Sequence, residues 1–379
     1  MPWPVKDLLS IRYEFVNLAL QPDANVRLLC RRFGISPTVA YKWLDRYETG
    51  GPNALNDRLR RPLHSPARTA RAIEEQVVGL RLEHPAWGAR KLRRRLQDLG
   101  QQSVPATSTI TGILHRHGLI APEQSQAAEP FQRFERSQPN QLWQVDFKGN
   151  FQLRQSRCYP LCALDDHSRY NVLLAACTNQ QQGTVQAHLI SAFRLQGMPD
   201  RLLWDNGSPW GGCGSEYTAL DVWLMRLGVG VCHGRPYHPQ TQGKEERFHR
   251  TLQAEVLARG AWADCAEVQA AFDRWRPIYN TQRPHDSLEL QTPLSRYKPS
   301  QRSYPEVLPL IQYPPGVGVR KVDVNGWFVY KGHYYKAGRA FVGQTVGLRP
   351  TQNDGIFDLL FLTHVIKQLN LRNDPATNS

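Results

Sequence analysis

Apolar positions in the first 120 residues recur at the three- to four-residue spacing of helices. Beyond residue 140, stretches of two-residue alternation appear between further helical stretches. Residues 7–20 and 25–33 follow the helical period. Gly34-Ile35-Ser36 then reads as a tight turn, with Ser36 an N-cap, Pro37 at the first helical position, and a third helix over 37–47 that Gly50-Gly51 ends. This is a helix-turn-helix layout whose last helix exposes Thr38, Tyr41, Lys42 and Arg46. A plain three-helix bundle with a solvated basic face would share the pattern. An Arg/Pro segment with Arg58, Arg60, Arg61 and Pro62 follows and cannot be helical throughout. It reads as an extended basic arm along DNA, or as a simple linker.

The helical pattern then repeats. Residues 70–83 are amphipathic, His84-Pro85 breaks the run, and 88–99 form a helix with Arg90, Lys91, Arg93, Arg94 and Arg95. A further helix spans 105–117, with Thr107 and Ser108 at its start as candidate DNA contacts. Two tandem DNA-reading modules are expected, a footprint longer than one module supplies. His115 and His117 have no Cys-x-x-Cys nearby to complete a metal site. Residues 121–139 are rich in Gln, Ala, Pro and Ser and read as a linker.

From residue 142 the alternation predicts strands over 142–153, 157–165 and 170–177. Helices and single strands then interleave: helix 180–195, strand 201–204, helix 216–227, strand 228–233, and helices 243–259 and 267–280. This is the texture of a mixed-sheet α/β domain. After residue 291, five short strands with turns at Asn325-Gly326, Gly332 and Asn353-Asp354-Gly355 suggest a small antiparallel barrel of the SH3 type. The expected fold class is multidomain α/β. Its divisions are 1–62 (helix-turn-helix with basic arm), 63–122 (second helix-turn-helix), 123–139 (linker), 140–290 (catalytic core) and 291–379 (linker and C-terminal barrel).

Charge narrows the class of partner. The chain has 379 residues and a formal charge of +14. Its first 120 residues hold 19 basic against 10 acidic side chains, which points to a polyanion bound through counterion release. No apolar run approaches the roughly 18 residues of a membrane span, and Met1-Pro2-Trp3-Pro4 lacks a signal-peptide layout. A soluble, cytoplasmic chain is expected, with nucleic acid and not a membrane as its partner. The seven cysteines form no Cys-x-x-Cys pair, so scattered reduced thiols are expected rather than a disulfide framework.

Three carboxylates sit where chemistry could use them. Asp146 lies among apolar neighbours in Leu142-Trp143-Gln144-Val145-Asp146-Phe147, Asp205 ends a strand at Asn206-Gly207, and Glu246 opens the helix after Gly243. A converging carboxylate cluster is stable only around divalent cations, and hard oxygen ligands suit Mg²⁺ or Mn²⁺. Two such ions suit phosphodiester chemistry. Helical angle separates the adjacent glutamates. Glu245 shares the apolar side with Phe248 and Leu252, whereas Glu246 shares the opposite face with Arg250 and Gln253, which favours Glu246 as the ligand. Lys244, Arg247 and Arg250 on this helix, and His238 in the loop before it, are candidate DNA contacts. Asp165-Asp166-His167-Ser168-Arg169 reads as a turn with Asx-type bonds rather than a metal site.

Trp143-Gln144-Val145-Asp146, Trp204-Asp205-Asn206-Gly207 and the run from Arg235 to Arg247 together resemble the integrase core of bacterial insertion-sequence transposases, members of the retroviral-integrase superfamily. The resemblance continues through Asn280-Thr281-Gln282-Arg283-Pro284-His285 and Thr292-Pro293. It implies an RNase H-like fold, with Asp146, Asp205 and Glu246 as an Asp-Asp-Glu triad holding two metal ions. It also implies cleavage by water, strand transfer by the freed 3′-hydroxyl into target DNA, and a homodimer or higher homo-oligomer on paired terminal inverted repeats in the bacterial nucleoid. The chain departs from the family's pattern in two respects. Forty residues separate Asp205 from Glu246, more than the usual mid-thirties, and the zinc-binding His/Cys module of retroviral integrases is missing. A domesticated, inert DNA-binding regulator and an RNase H-like repair nuclease are the competing readings; the intact triad opposes the first, and the two reading modules are unexplained by the second.

Overall fold

The computed structural model describes residues 7–57, 69–120, 135–204, 217–233 and 243–371. Arg58, Arg60, Arg61, Asp205 and His238 therefore lie outside the described residues. The chain forms two compact units, Met1–Arg68 and Thr69–Ser379.

In the first unit, α1 (Leu8–Ala19), α2 (Val26–Phe33) and α3 (Pro37–Gly50) pack Phe15, Val16, Cys30, Ala40 and Leu55 into a small core. Each helix starts at the cap its sequence supplies: Asp7 accepts from the Ser10 amide, Asn25 from Leu28 and Ser36 from Val39. Gly34 ends α2 at φ +65, a left-handed conformation that suits glycine at the turn between the two helices.

The second unit opens with α4 (Arg71–Glu83), α5 (Ala89–Asp98) and α6 (Thr107–Arg116), closed around Val77, Trp87, Leu92, Leu96, Ile110 and Ile113. The buried Arg81 guanidinium ties the module together by donating to the Trp87 and Leu119 carbonyls.

A mixed sheet follows, built from β1 (Trp143–Phe147), β2 (Phe151–Gln152), β3 (Arg157–Asp165), β4 (Asn171–Cys177), β5 (Arg201–Trp204) and β6 (Gly230–His233). β3 pairs antiparallel with β1, β2 and β4, while β1–β5 and β5–β6 are parallel. The single strand expected over 142–153 is broken. β2 continues the ladder of β1 along β3, but its register is shifted by one residue, and Gly149 at φ +83 absorbs the extra residue. Helices α7 (Gln182–Gln196) and α8 (Ala219–Arg226) cover the sheet face of Trp143, Val145 and Phe147. Helices α9 (Gly243–Glu255) and α10 (Cys265–Thr281) cover the other.

The C-terminal strands are β7 (Gly318–Lys321), β8 (Trp327–Tyr330), β9 (His333–Lys336), β10 (Thr345–Pro350), β11 (Ile356–Phe361) and β12 (His364–Asn370), the last unforeseen. They form a four-stranded sheet, β12-β11-β10-β7, and a separate β8–β9 hairpin, so no closed barrel is present among the described residues. Asn325-Gly326 makes its turn, with Asp323 N donating to Trp327 O, but does not join paired strands. β7 turns away to β10, and the hairpin forms across Lys331-Gly332 instead. Among the described residues no helix is long and apolar enough to cross a membrane. The six described cysteines are free thiols, four of them buried.

Candidate active site

Two-residue alternation in β1 sends Trp143, Val145 and Phe147 into one core and turns Gln144 and Asp146 to the face under α9 and α10. Asp146 pairs across the ladder with Cys162, and its side chain is 24% exposed. A carboxylate fixed in a strand and open to water on one side can meet a charged ligand without first reorganising.

Helix α9 crosses above it. Phe248 and Leu252 anchor the helix in the core under α10, which turns Glu245 inward and Glu246 outward. Glu245 is 1% exposed, and neither carboxylate oxygen has a hydrogen-bond partner in good geometry. Burial, and then the nearby Asp146 charge, push its carboxyl well above the usual range, and the Leu164 backbone relieves this only in part. Glu246 has a 70% exposed side chain and lies 3.7 Å from Arg250 one turn on. His249 comes between the acids, 4.0 Å from Asp146 and 3.7 Å from Glu245. Burial, with Lys148 adding to it, lowers the imidazole to about 4, so it is neutral there. Neither His249 nor Lys148 announces itself in the sequence, because a lone basic residue on an amphipathic helix or strand gives no periodic signal.

The start of α9 is pinned to β1 through one buried carboxylate. Asp166 accepts from the Lys244 ammonium, from Gln144 Nε2 at 2.7 Å and from the Arg136 amide at 2.8 Å. Lys244 also donates to the Asp166 carbonyl at 3.0 Å and is 16% exposed. The ammonium thereby satisfies an internal acid that would otherwise be buried without a cation. Asp165 makes the expected Asx-type turn, accepting from Ser168 N at 2.8 Å and from Asn140 N at 2.6 Å. Arg247 and Arg250 are exposed on the outer face with Glu246.

In the first unit Thr38, Tyr41 and Lys42 are exposed along α3, while Arg46 lies over the Trp43 ring at 4.9 Å. In the second module Ser108 is exposed and Thr107 half-buried, and the guanidinium of Arg116 and the imidazole of His117 meet the buried Glu74. The basic face of α5 departs from expectation. Lys91 is buried, Arg90 lies 3.0 Å from Asp286, and Arg94 binds Asp98 at 2.8 Å. Lys91 thus lies against Asp286, 4.0 Å away, rather than on the open face of the helix. Helical spacing cannot tell a solvated basic face from one that packs on an acidic partner. Among the described residues no three His, Cys, Asp or Glu side chains gather to hold a metal ion.

Family models match along the chain: a helix-turn-helix domain over 11–62, a homeodomain-like domain over 39–114, an integrase core domain over 136–239 and again over 227–293, and an IS481 family transposase C-terminal domain over 317–377. The chain thus carries regions similar to helix-turn-helix domains, to an integrase core and to a transposase C-terminal domain. The chain is 27% identical over 157 residues to an uncharacterized 31.7 kDa protein of insertion element IS407 from Burkholderia multivorans, a match covering 41% of the chain and 54% of that protein. It is 25% identical over 234 residues to an uncharacterized 39.2 kDa protein of insertion element IS476 from Xanthomonas euvesicatoria, covering 60% and 64%. It therefore spans less than two thirds of the length of these relatives. Among solved structures it is similar to a simian T-cell lymphotropic virus intasome chain, with 15% identity, TM-score 0.38, and 76% of this chain and 96% of that one covered. It is also similar to the HTLV-2 integrase catalytic core solved with magnesium, with 14% identity, TM-score 0.34, and 42% and 97% covered.

Proposed function

We propose that the chain is an insertion-sequence transposase that binds the terminal inverted repeats of its element and catalyses metal-dependent strand cleavage and strand transfer. The observation that carries this reading is Asp146, held on the open face of β1 beside the first turn of the helix that bears Glu246. Asp205 is proposed as the third carboxylate on its place in the sequence, directly after the last residue of β5. Trp143 faces Leu202 and Gln144 faces Leu203, so β5 ends level with the second half of β1. Trp204, the last residue of β5, shares the core of Val145, and Asp205 directly follows it in the sequence.

Carboxylate oxygens suit Mg²⁺ or Mn²⁺, and Asp146, Asp205 and Glu246 would hold two such ions, which supply charge neutralisation at the phosphodiester. The exposed Glu246 stays available to such a site, whereas Glu245 is enclosed by the core. Arg247 and Arg250 beside Glu246 would take DNA phosphates, as Thr38, Tyr41, Lys42, Thr107 and Ser108 would take DNA in the two reading modules. Arg46, Arg90 and Arg94 can add to this only through the exposed part of their side chains. The domain divisions read from the sequence, an SH3-like C-terminal domain, and a dimer or larger assembly on paired ends belong to the same proposal.

Nicking of duplexes carrying the element's ends in Mg²⁺ tests the reading. Asp146→Asn and Glu246→Gln are expected to lose about 10³-fold or more in cleavage while retaining binding, and Glu245→Gln to lose less than about tenfold. Binding without cleavage by the unaltered chain under any divalent metal would leave the inert regulator as the better reading.

A further inference from the structure

The segment Asn280-Thr281-Gln282-Arg283-Pro284-His285-Asp286 belongs to the integrase core, yet no catalytic step uses it. Its side chains reach three separate elements. Asn280 exchanges two hydrogen bonds with the backbone of Asn171 at the start of β4, accepting at 2.9 Å and donating at 3.1 Å. Arg283 donates to Glu255 in the last turn of α9 at 2.8 Å, both partners are less than a tenth exposed, and Trp275 Nε1 binds the other Glu255 oxygen. On its opposite side the segment meets the second helix-turn-helix module. Gln282 accepts from Arg95 at 3.0 Å, Asp286 lies 3.0 Å from Arg90 and 4.0 Å from Lys91, and Ile278 packs on the module's apolar core.

Asp286 stands on a braced turn. The Leu288 and Leu290 amides both donate to the His285 carbonyl, and the His285 amide donates to Gln291. Glu289 and Leu290 hold left-handed φ values of 55 and 63, a conformation side-chain-bearing residues keep only where surrounding bonds over-determine it. Docking through α5 leaves Ser108, Thr109 and Thr111 of α6 exposed.

We propose that residues 280–286 form a rigid joint that fixes the second module to the helix bearing Glu246, and so sets which phosphodiester is cut relative to the sequence that module reads. The inference rests on the catalytic reading above. A loosely tethered reader would let several phosphodiesters reach the carboxylates, whereas a reader docked on the core and linked through Arg283–Glu255 to α9 offers them one.

The test compares the unaltered chain with Asp286→Lys, Arg90→Asp and the charge-swapped double variant. Amide hydrogen exchange over 89–98 reads the joint without DNA, and nucleotide-resolution mapping on duplexes carrying the element's ends reads the cut. Each single reversal is expected to speed exchange of α5 about tenfold or more and to spread cleavage over neighbouring positions, with the double variant restoring both. Unchanged exchange in Asp286→Lys overturns the joint. So does faster exchange with the cut still at one position, or single variants that the double variant does not rescue. An unaltered chain that binds ends and never cuts instead sinks the catalytic reading, and exchange still decides whether the joint exists.

Discussion

Glu245 and Glu246 are chemically identical neighbours with opposite surroundings, because a helix rotates about 100° per residue. Phe248 and Leu252 draw Glu245 into the core and leave Glu246 in water beside Arg250. Lys91 shows the same rule for a cation. Burial, and then the charge of Arg283, lower its ammonium to about 8 despite Asp286 and Glu255. Below pH 8 the lysine is charged in both the folded and unfolded chain, and the cost of burying it is fully present. Between about 8 and the ordinary 10.5, the unfolded chain holds a proton that the folded chain has released, so stability relative to a neutral side chain recovers as pH rises. Lys91→Met is therefore expected to raise Tm by about 2–4 °C at pH 7, with the gain shrinking above pH 8, as followed by thermal unfolding at several pH values. A gain independent of pH would show that burial of the charge is not its cause.

At the scale of elements, local chemistry decides ends and tertiary pairing decides partners. Ser36 and Pro37 start α3 without outside help, since the hydroxyl satisfies the Val39 amide at 3.3 Å. Ser36→Ala is expected to cost the first unit about 1 kcal/mol in urea unfolding, with Ser36→Asp retaining most of that stability. The turn at Asn325-Gly326 forms as its residues dictate, and Gly326 at φ +84 leaves no room for a Cβ against Gly338. Its flanking strands nonetheless find other partners: β7 pairs with β10, and β8 with β9. The break between β1 and β2 has the same character: alternation runs through it, and only the ladder along β3 reveals the shifted register.

Over the whole molecule, the second helical module belongs with the core and the first does not. Residues 69–379 form one compact unit in which Arg95, Arg90 and Lys91 engage Gln282 and Asp286, whereas 1–68 close on their own apolar cluster. A chain lacking residues 1–68 is accordingly expected to unfold within about 2 °C of the core transition of the full chain while losing about tenfold or more in affinity for end duplexes, as measured by calorimetry and by titration. A large fall in the core transition would show that the first unit supports the second. The sequence treats the two helical modules as equivalents, since both carry the helical period and a basic face.

The sequence by itself determined the helices and their caps, the strand alternation that turns Asp146 away from Trp143 and Val145, and the opposed faces of Glu245 and Glu246. Each follows from repeats of two or 3.6 residues acting over a few positions. Only the tertiary structure decided that Lys244 turns inward to Asp166, that Lys91 is buried against the core and that His249 lies between two acids. Those outcomes depend on which charges from distant parts of the chain meet in a low-dielectric interior, where an unpaired ion is costly and a paired one can be kept. Local periodicity carries no information about that partner.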